Sequence, residues 1–249
     1  MAKQISLMEL FEVGAHRGNA RAKTNPKIIS RVHSFQNGLS VINLVDTIET
    51  IQNSCSLLEK IGARKGQVLI VGTSNHIKHL VPEYARKFNS GEMPFIKNRW
   101  LGGTLTNWTT IKKTLKTLVK FENMESDEAF FGKLAKNEQL RISRIKEKIA
   151  RFFSGLKLLK SNKPKALIVF DGDENTIAIE EANAAGVPVI SLSNTKVKAL
   201  PKDTSTAIIC NTNSISTIEK ITQILVDAYN EGLKKSLSKQ VENASQKKS

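Results

Sequence analysis

An α/β architecture is what this sequence predicts: a doubly wound parallel sheet interrupted by an inserted antiparallel helical hairpin of coiled-coil type. Three observations predict it. Short apolar runs alternate with amphipathic helical stretches on both sides of the chain's middle, and repeated strand–helix units need right-handed crossovers that lay their strands parallel. Some of the runs are apolar without a break, as in Val68-Leu69-Ile70-Val71 and Ala166-Leu167-Ile168-Val169-Phe170, which suits strands covered on both faces. Between the two halves, from Thr109 to Lys165, 15 Lys and Arg stand against 6 Asp and Glu in a stretch with helical rather than strand periodicity.

Each element has a local reason. Ser6-Leu7-Met8-Glu9 is a capping box, a hydroxyl with a carboxylate three residues on, and it opens a short amphipathic helix ending near Gly14. From His16 to Arg31 the chain is polar and basic, and Asn25-Pro26 disfavours helix at Asn25, so an ordered loop is expected there. Asn37-Gly38 marks a tight turn before a strand over 39–44. Asp46 can cap a helix whose Ile48, Ile51, Cys55, Leu58 and Ile61 form one apolar stripe. A strand over 67–72, a helix over about 75–88 and a short strand over 94–96 follow. After the interruption come a strand over 166–171, a helix over 174–185, strands over 187–191 and 207–210, and a helix over about 214–233.

The interruption reads as helices over 105–123 and 133–153, joined by Glu125-Ser126-Asp127-Glu128. Leu115, Leu118 and Phe121 would meet Leu134, Leu140, Ile145 and Ile149 along an apolar seam, leaving the outer faces basic. The expected organisation is one discontinuous α/β domain over 1–104 and 154–233, the hairpin over 105–153, and a flexible basic tail over 234–249.

Charge narrows the function. The 249 residues include 38 Lys and Arg against 23 Asp and Glu, a formal net charge of +15. A surface that basic needs a polyanion, of which nucleic acid is the commonest; anionic membrane is the competing partner. No apolar run is long enough to span a bilayer, and no segment has the basic start, apolar middle and small-residue cleavage site of a signal peptide. A cytoplasmic chain, or one in the matrix of an organelle with its own translation, is expected. Cys55 and Cys210 lack partners at metal-binding spacing and read as buried thiols.

Catalytic motifs are sparse. The loop Val71-Gly72-Thr73-Ser74-Asn75-His76 has one glycine and no Lys, so neither the phosphate-cradling loop nor the dinucleotide fingerprint is present. Asp171-Gly172-Asp173-Glu174 after an apolar strand looks superficially like the motif of magnesium-dependent phosphatases, with Asp171 as nucleophile and Asp173 as general acid. Later loops supply Ser191 to Lys196 but no second acidic pair. The plainer reading is that Asp173 caps the following helix and Glu174 favours its positive end. His76 and His79 would share a helix face, but no Cys or third His lies nearby in sequence. No catalytic residue, metal site or cofactor is predicted.

RNA binding has broader support. Basic residues fall in the segment from Arg17 to Arg31, in the hairpin and in the tail, and many modest phosphate contacts sum to a salt-sensitive grip. With 6% aromatic residues, the chain is poorly equipped to stack unpaired bases in an open groove. It should hold a folded RNA by shape and backbone.

The segment Arg99-Trp100-Leu101-Gly102-Gly103-Thr104-Leu105-Thr106-Asn107 resembles the motif of the small-subunit ribosomal protein S-two family in its bacterial or organellar form. Other segments match in order: Gly14-Ala15-His16, Asn25-Pro26-Lys27, Val41-Ile42-Asn43-Leu44, the strand end at Val71-Gly72-Thr73, Gly155-Leu156-Lys157, Ala178-Ile179-Glu180-Glu181-Ala182 and Gly186-Val187-Pro188-Val189. The resemblance implies a flavodoxin-like domain with a protruding hairpin, docked on small-subunit rRNA between head and body. It also implies neighbouring ribosomal proteins as partners, S-one among them in bacteria, no DNA or membrane partner, and no catalytic activity. Departures stand out: His16-Arg17-Gly18-Asn19 replaces the family's His-Phe-Gly-His, Asn194-Thr195-Lys196 its Asp-Thr-Asn, and Cys210-Asn211-Thr212-Asn213-Ser214 its Pro-Gly-Asn-Asp-Asp.

The expected function is therefore that of a structural ribosomal constituent, with a phosphatase using Asp171 and Asp173, or a stand-alone RNA-binding regulator, as alternatives. The expected RNA contacts are Arg17, Arg21, Lys23, Lys27, Arg31, Arg99 and Trp100, with Lys112, Lys113, Lys116, Arg141, Arg144 and Lys148 on the hairpin. Trp100 is equally suited to the core. The glycine pair should give a tight joint, with Thr104 or Thr106 capping the first long helix.

Overall fold

Five parallel strands form the centre of the molecule, described by a computed structural model over residues 5–127, 131–160 and 163–246, with 239–246 described by backbone alone. They are β4 (Val68–Val71), β5 (Phe95–Ile96), β6 (Ala166–Phe170), β7 (Val189–Ser193) and β8 (Ala207–Ile209), in the spatial order β5-β4-β6-β7-β8. That order is consistent with the flavodoxin-like doubly wound sheet, whose ligand-binding crevice lies at the carboxyl ends of the first and third strands. Here those strands are β4 and β6, paired in register from Val68 with Ala166 to Val71 with Val169.

The unbroken apolar runs cover both faces. Val68 and Ile70 face one core, shared with Leu10, Ile51, Leu58, Tyr84 and Tyr229. Leu69 and Val71 face the other, with Trp100, Leu105, Leu118, Ile179 and Ala182. On the first face α2 (Leu44–Ala63) lies against α7 (Ile215–Gln246). Two glycines permit the approach: a Cβ on Gly62 would stand 2.2 Å from the Tyr229 carbonyl, and one on Gly232 would stand 2.1 Å from that of Glu59.

Several boundaries differ from the sequence expectation. The basic N-terminal segment is not a loop throughout: β1 (Arg17–Ala20), β2 (Val32–Gln36) and β3 (Leu39–Ile42) form a small antiparallel sheet, ordered β1-β3-β2. Asn43, not Asp46, caps α2, accepting from the Val45 amide. Residues 74–80 form turns, and α3 (Val81–Arg86) begins only where Pro82 can occupy the first helical turn. The helix α6 (Thr176–Ala185) starts after Asn175, and Asp173 makes no cap. The last helix continues beyond Leu233 to Gln246, where the sequence has no Gly or Pro to stop it. Residues 247–249 of the expected tail lie outside the described residues.

The basic interruption contains α4 (Trp108–Ser126) and α5 (Lys136–Phe153). Glu125 of α4 accepts from Ser143 at 2.7 Å and pairs with Lys146 of α5. The expected seam is not continuous, because Leu140 is 54% exposed and Ile145 36%. Leu115 and Leu118 instead join the core on the sheet's second face. Glu128 of the connecting turn lies outside the described residues.

Candidate nucleic-acid interface

The joint between sheet and basic helices is built on one acid. Glu181 lies on α6, whose Ala178, Ile179 and Ala182 are buried against the sheet. Its Oε1 accepts from the Trp100 indole N–H at 3.2 Å and the Gly103 amide at 2.6 Å, and its Oε2 from the Leu105 amide at 3.2 Å. Gly103 has φ +86°, a left-handed conformation that glycine adopts without a Cβ penalty. The loop thus wraps a carboxylate before α4 begins at Trp108. Neither Thr104 nor Thr106 caps that helix: Asn107 occupies the cap position, and the Thr104 hydroxyl donates to the Leu101 carbonyl at 2.5 Å. Leu105, whose amide donates to Glu181, precedes the helix.

The expected RNA-contacting residues divide into two groups. Arg17, Arg21, Lys23 and Lys27 are exposed on the small antiparallel sheet and its turns, and Arg21 lies 4.9 Å from the centre of the Phe35 ring. Arg99 is exposed, as are Lys112, Lys113 and Lys116 on α4, and Arg141, Arg144 and Lys148 on α5. Among the described residues none of these cations pairs with a carboxylate. Arg31 and Trp100 are committed to the fold. The Arg31 guanidinium donates to the carbonyls of Ala207 at 2.5 Å and Thr204 at 2.8 Å, tying the N-terminal segment to the start of β8. Trp100 is 6% exposed and its one polar atom is bound to Glu181.

The N-terminal basic segment sits over the carboxyl end of β7. The Asn19 amide donates to Thr195 Oγ1 at 3.0 Å, and Asn25 donates to the carbonyls of Thr195 and Val197. Exposed Lys196 and Lys198 belong to the same loop, so they extend the basic surface although sequence spacing did not associate them with it. Three residues beyond the end of β5, Arg99 projects from this same carboxyl-end side of the sheet. Arg17 stands where the resemblance expects an aromatic ring; here the neighbouring His16 stacks on Phe11 instead, with ring centres 4.3 Å apart.

At the switch point between β4 and β6 lies a group of acids. Asp171 is 3% exposed with φ +57°, a strained conformation for a non-glycine residue. Asn175 secures it by donating to the carbonyls of Phe170 and Asp171, both at 3.1 Å. The Ser74 hydroxyl lies 2.5 Å from Asp171 Oδ2 and 2.8 Å from Glu174 Oε2. One proton cannot serve two carboxylates, and burial, followed by the nearby Glu174 charge, holds the Asp171 carboxyl above its usual range. The side chain of Asp173 is 3% exposed, and only the Asn194 backbone amide and Lys196, 3.8 Å away, offset its burial. Burial, and then the Asp171 charge, push Asp173 up to about 7. His76 and His79 do not share a helix; His76 Nε2 lies 2.9 Å from the Thr212 carbonyl oxygen. Cys55 and Cys210 are buried free thiols.

Residues 10–232 match the family model for ribosomal protein S2. The chain is 32% identical over 230 residues to the small ribosomal subunit protein uS2 of Bifidobacterium adolescentis, spanning 92% of this chain and 82% of that protein. Its identity to the uS2 of Acidothermus cellulolyticus is 31% over 229 residues, spanning 92% and 81%. With the uS2 of Amoebophilus asiaticus it is 35% over 225 residues, spanning 90% and 70%.

Proposed function

This chain belongs to the ribosomal protein S2 family, and from that premise we propose that it is a structural constituent of the small ribosomal subunit, bound to folded rRNA and without catalytic activity. The observation that carries the reading is the set of exposed cations on the N-terminal sheet, at Arg99, and on α4 and α5, none countered by a carboxylate among the described residues. Each such cation that meets a phosphate releases counterions. In this reading α4 and α5 act as an inserted hairpin on a discontinuous α/β domain, the Glu181-bound loop aims them, and residues 234–249 remain outside that domain. Neighbouring ribosomal proteins, with S-one among them in bacteria, complete the contacts, and the chain is ribosome-bound in the cytoplasm or an organellar matrix. No helix among the described residues is long and apolar enough to cross a membrane.

The phosphatase reading meets a physical difficulty. A nucleophilic Asp171 would need to face substrate, yet it is buried against Ser74 and Thr212, and burial raises its carboxyl above the usual carboxylate range. One pair of assays tests the proposal. Binding to a small-subunit rRNA fragment should weaken steeply with salt, and removing Arg17, Arg21 and Lys23 together should lower the slope of log K against log salt by about 2–3. Hydrolysis of generic phosphate esters, abolished by Asp171→Asn, would overturn it.

A further inference from the structure

We propose that a lysine-rimmed groove along α4 docks an acidic amphipathic helix of a partner protein. Two hollows, of about 310 and 530 Å³, share Lys116 and Val119 and so run on from one another. Trp108, Leu115 and Leu159 line the first and Met124 the second, with Val119 common to both and 42% exposed. Lys112, Lys116 and Lys120 follow one another at one-turn spacing along α4, and Lys157 and Lys160 line the first hollow from the chain after α5.

Asp127 lies at the far end of the second hollow, and the other local acids do not neutralise the lysine rim. Glu122 pairs with Lys157 at 3.0 Å, and Glu125 is engaged by Ser143 and Lys146. Lys112, Lys116, Lys120 and Lys160 pair with no carboxylate among the described residues. The Trp108 indole N–H is a further donor, buried beside the groove without an acceptor. Apolar surface flanked by uncountered cations at helical spacing fits a helix of complementary pattern: an apolar stripe at i, i+4 flanked by Asp or Glu one turn apart. A phosphate backbone would use the lysines but gain nothing from exposed Val119 and half-buried Trp108 and Met124. The observations therefore favour a protein over RNA in this groove, which leaves Lys113, the α5 cations, Arg99 and the N-terminal sheet to meet RNA.

The location of the partner rests on the ribosomal reading, and the experiment separates the two. A photo-crosslinking amino acid placed at Val119 of the full chain, in small subunits assembled in cells, should capture a protein segment with that acidic–apolar pattern. The double variant K112E/K116E should cut the yield per chain incorporated into small subunits about tenfold, while K112R/K116R keeps it. Crosslinks to RNA alone, or none in particles that contain the chain, would overturn the proposal. Absence of the chain from small subunits would count against the ribosomal reading instead. The groove is then judged on the purified chain, by anisotropy of a fluorescent peptide with a leucine stripe flanked by glutamates. Binding weakened about tenfold in K112E/K116E supports docking; equal binding by both chains contradicts it.

Discussion

Glu181 and Asp173 both carry a carboxylate into the α/β body, one on a helix face and one on the loop before that helix, and their surroundings differ sharply. Glu181 gathers three N–H donors, two from backbone and one from Trp100. Asp173 has only the Asn194 backbone amide beside it, with Lys196 3.8 Å away. A carboxylate met by several donors organises the chain around it, whereas a buried one short of donors costs desolvation and drifts toward the neutral form. The comparison explains how two acids of similar placement play different parts. The Glu181 site is a finished joint between sheet and basic helices, and the Asp173 site destabilises the fold once it ionises.

The largest effect should come from the finished joint. Glu181→Ala leaves three donors without their acceptor and should cost about 3 kcal/mol in urea unfolding, while Glu181→Gln should cost less because it retains one acceptor oxygen. A loss below about 1 kcal/mol for the alanine variant would show that water replaces the carboxylate, and the contrast with Asp173 would lose its meaning. A second comparison separates committed from free cations. Arg31→Ala should cost about 1–2 kcal/mol through its two carbonyl partners. Arg17→Ala should leave stability unchanged and reduce the salt slope of RNA binding by about 1.

Asp173→Asn carries the opposite sign. A carboxyl raised from near 4 to about 7 binds its proton more tightly in the native state. Its favourable contribution is therefore complete below about pH 4 and is lost as pH rises through about 7. The asparagine variant should melt about 2–4 °C above the parent at pH 8 and gain progressively less toward pH 4, as followed by calorimetry. Equal melting temperatures at pH 8 would mean that the Asp173 carboxylate finds donors in solution.

Much of this fold was legible because burial on both faces leaves an unbroken apolar run. β4 and β6 follow that rule, and the Ile51-Cys55-Leu58-Ile61 stripe of α2 follows the corresponding helical one. The antiparallel N-terminal sheet was not legible, since Arg-Gly-Asn-Ala in β1 has neither alternation nor β-branched residues. Helical periodicity over the basic stretch revealed α4 and α5 but not which neighbours their apolar residues meet. Leu115 and Leu118 chose the sheet, leaving Leu140 and Ile145 exposed.

At the candidate site, exposed Arg17 and Lys112 could be placed from charge alone, whereas the commitment of Arg31 and Trp100 depends on contacts remote in sequence. One signal did point toward Glu181: a carboxylate beside Ala178, Ile179 and Ala182 on a buried helix face needs donors from elsewhere in the chain. Trp100, Gly103 and Leu105 supply them.

The central claim, that this chain works as part of the small ribosomal subunit, is tested most directly by where it travels in a sucrose gradient of lysate from its own cells. A tagged full chain should sediment with small subunits at low salt, and more of it should leave them as salt rises. Recovery only in the free soluble fractions, at low salt as well as high, would contradict the account.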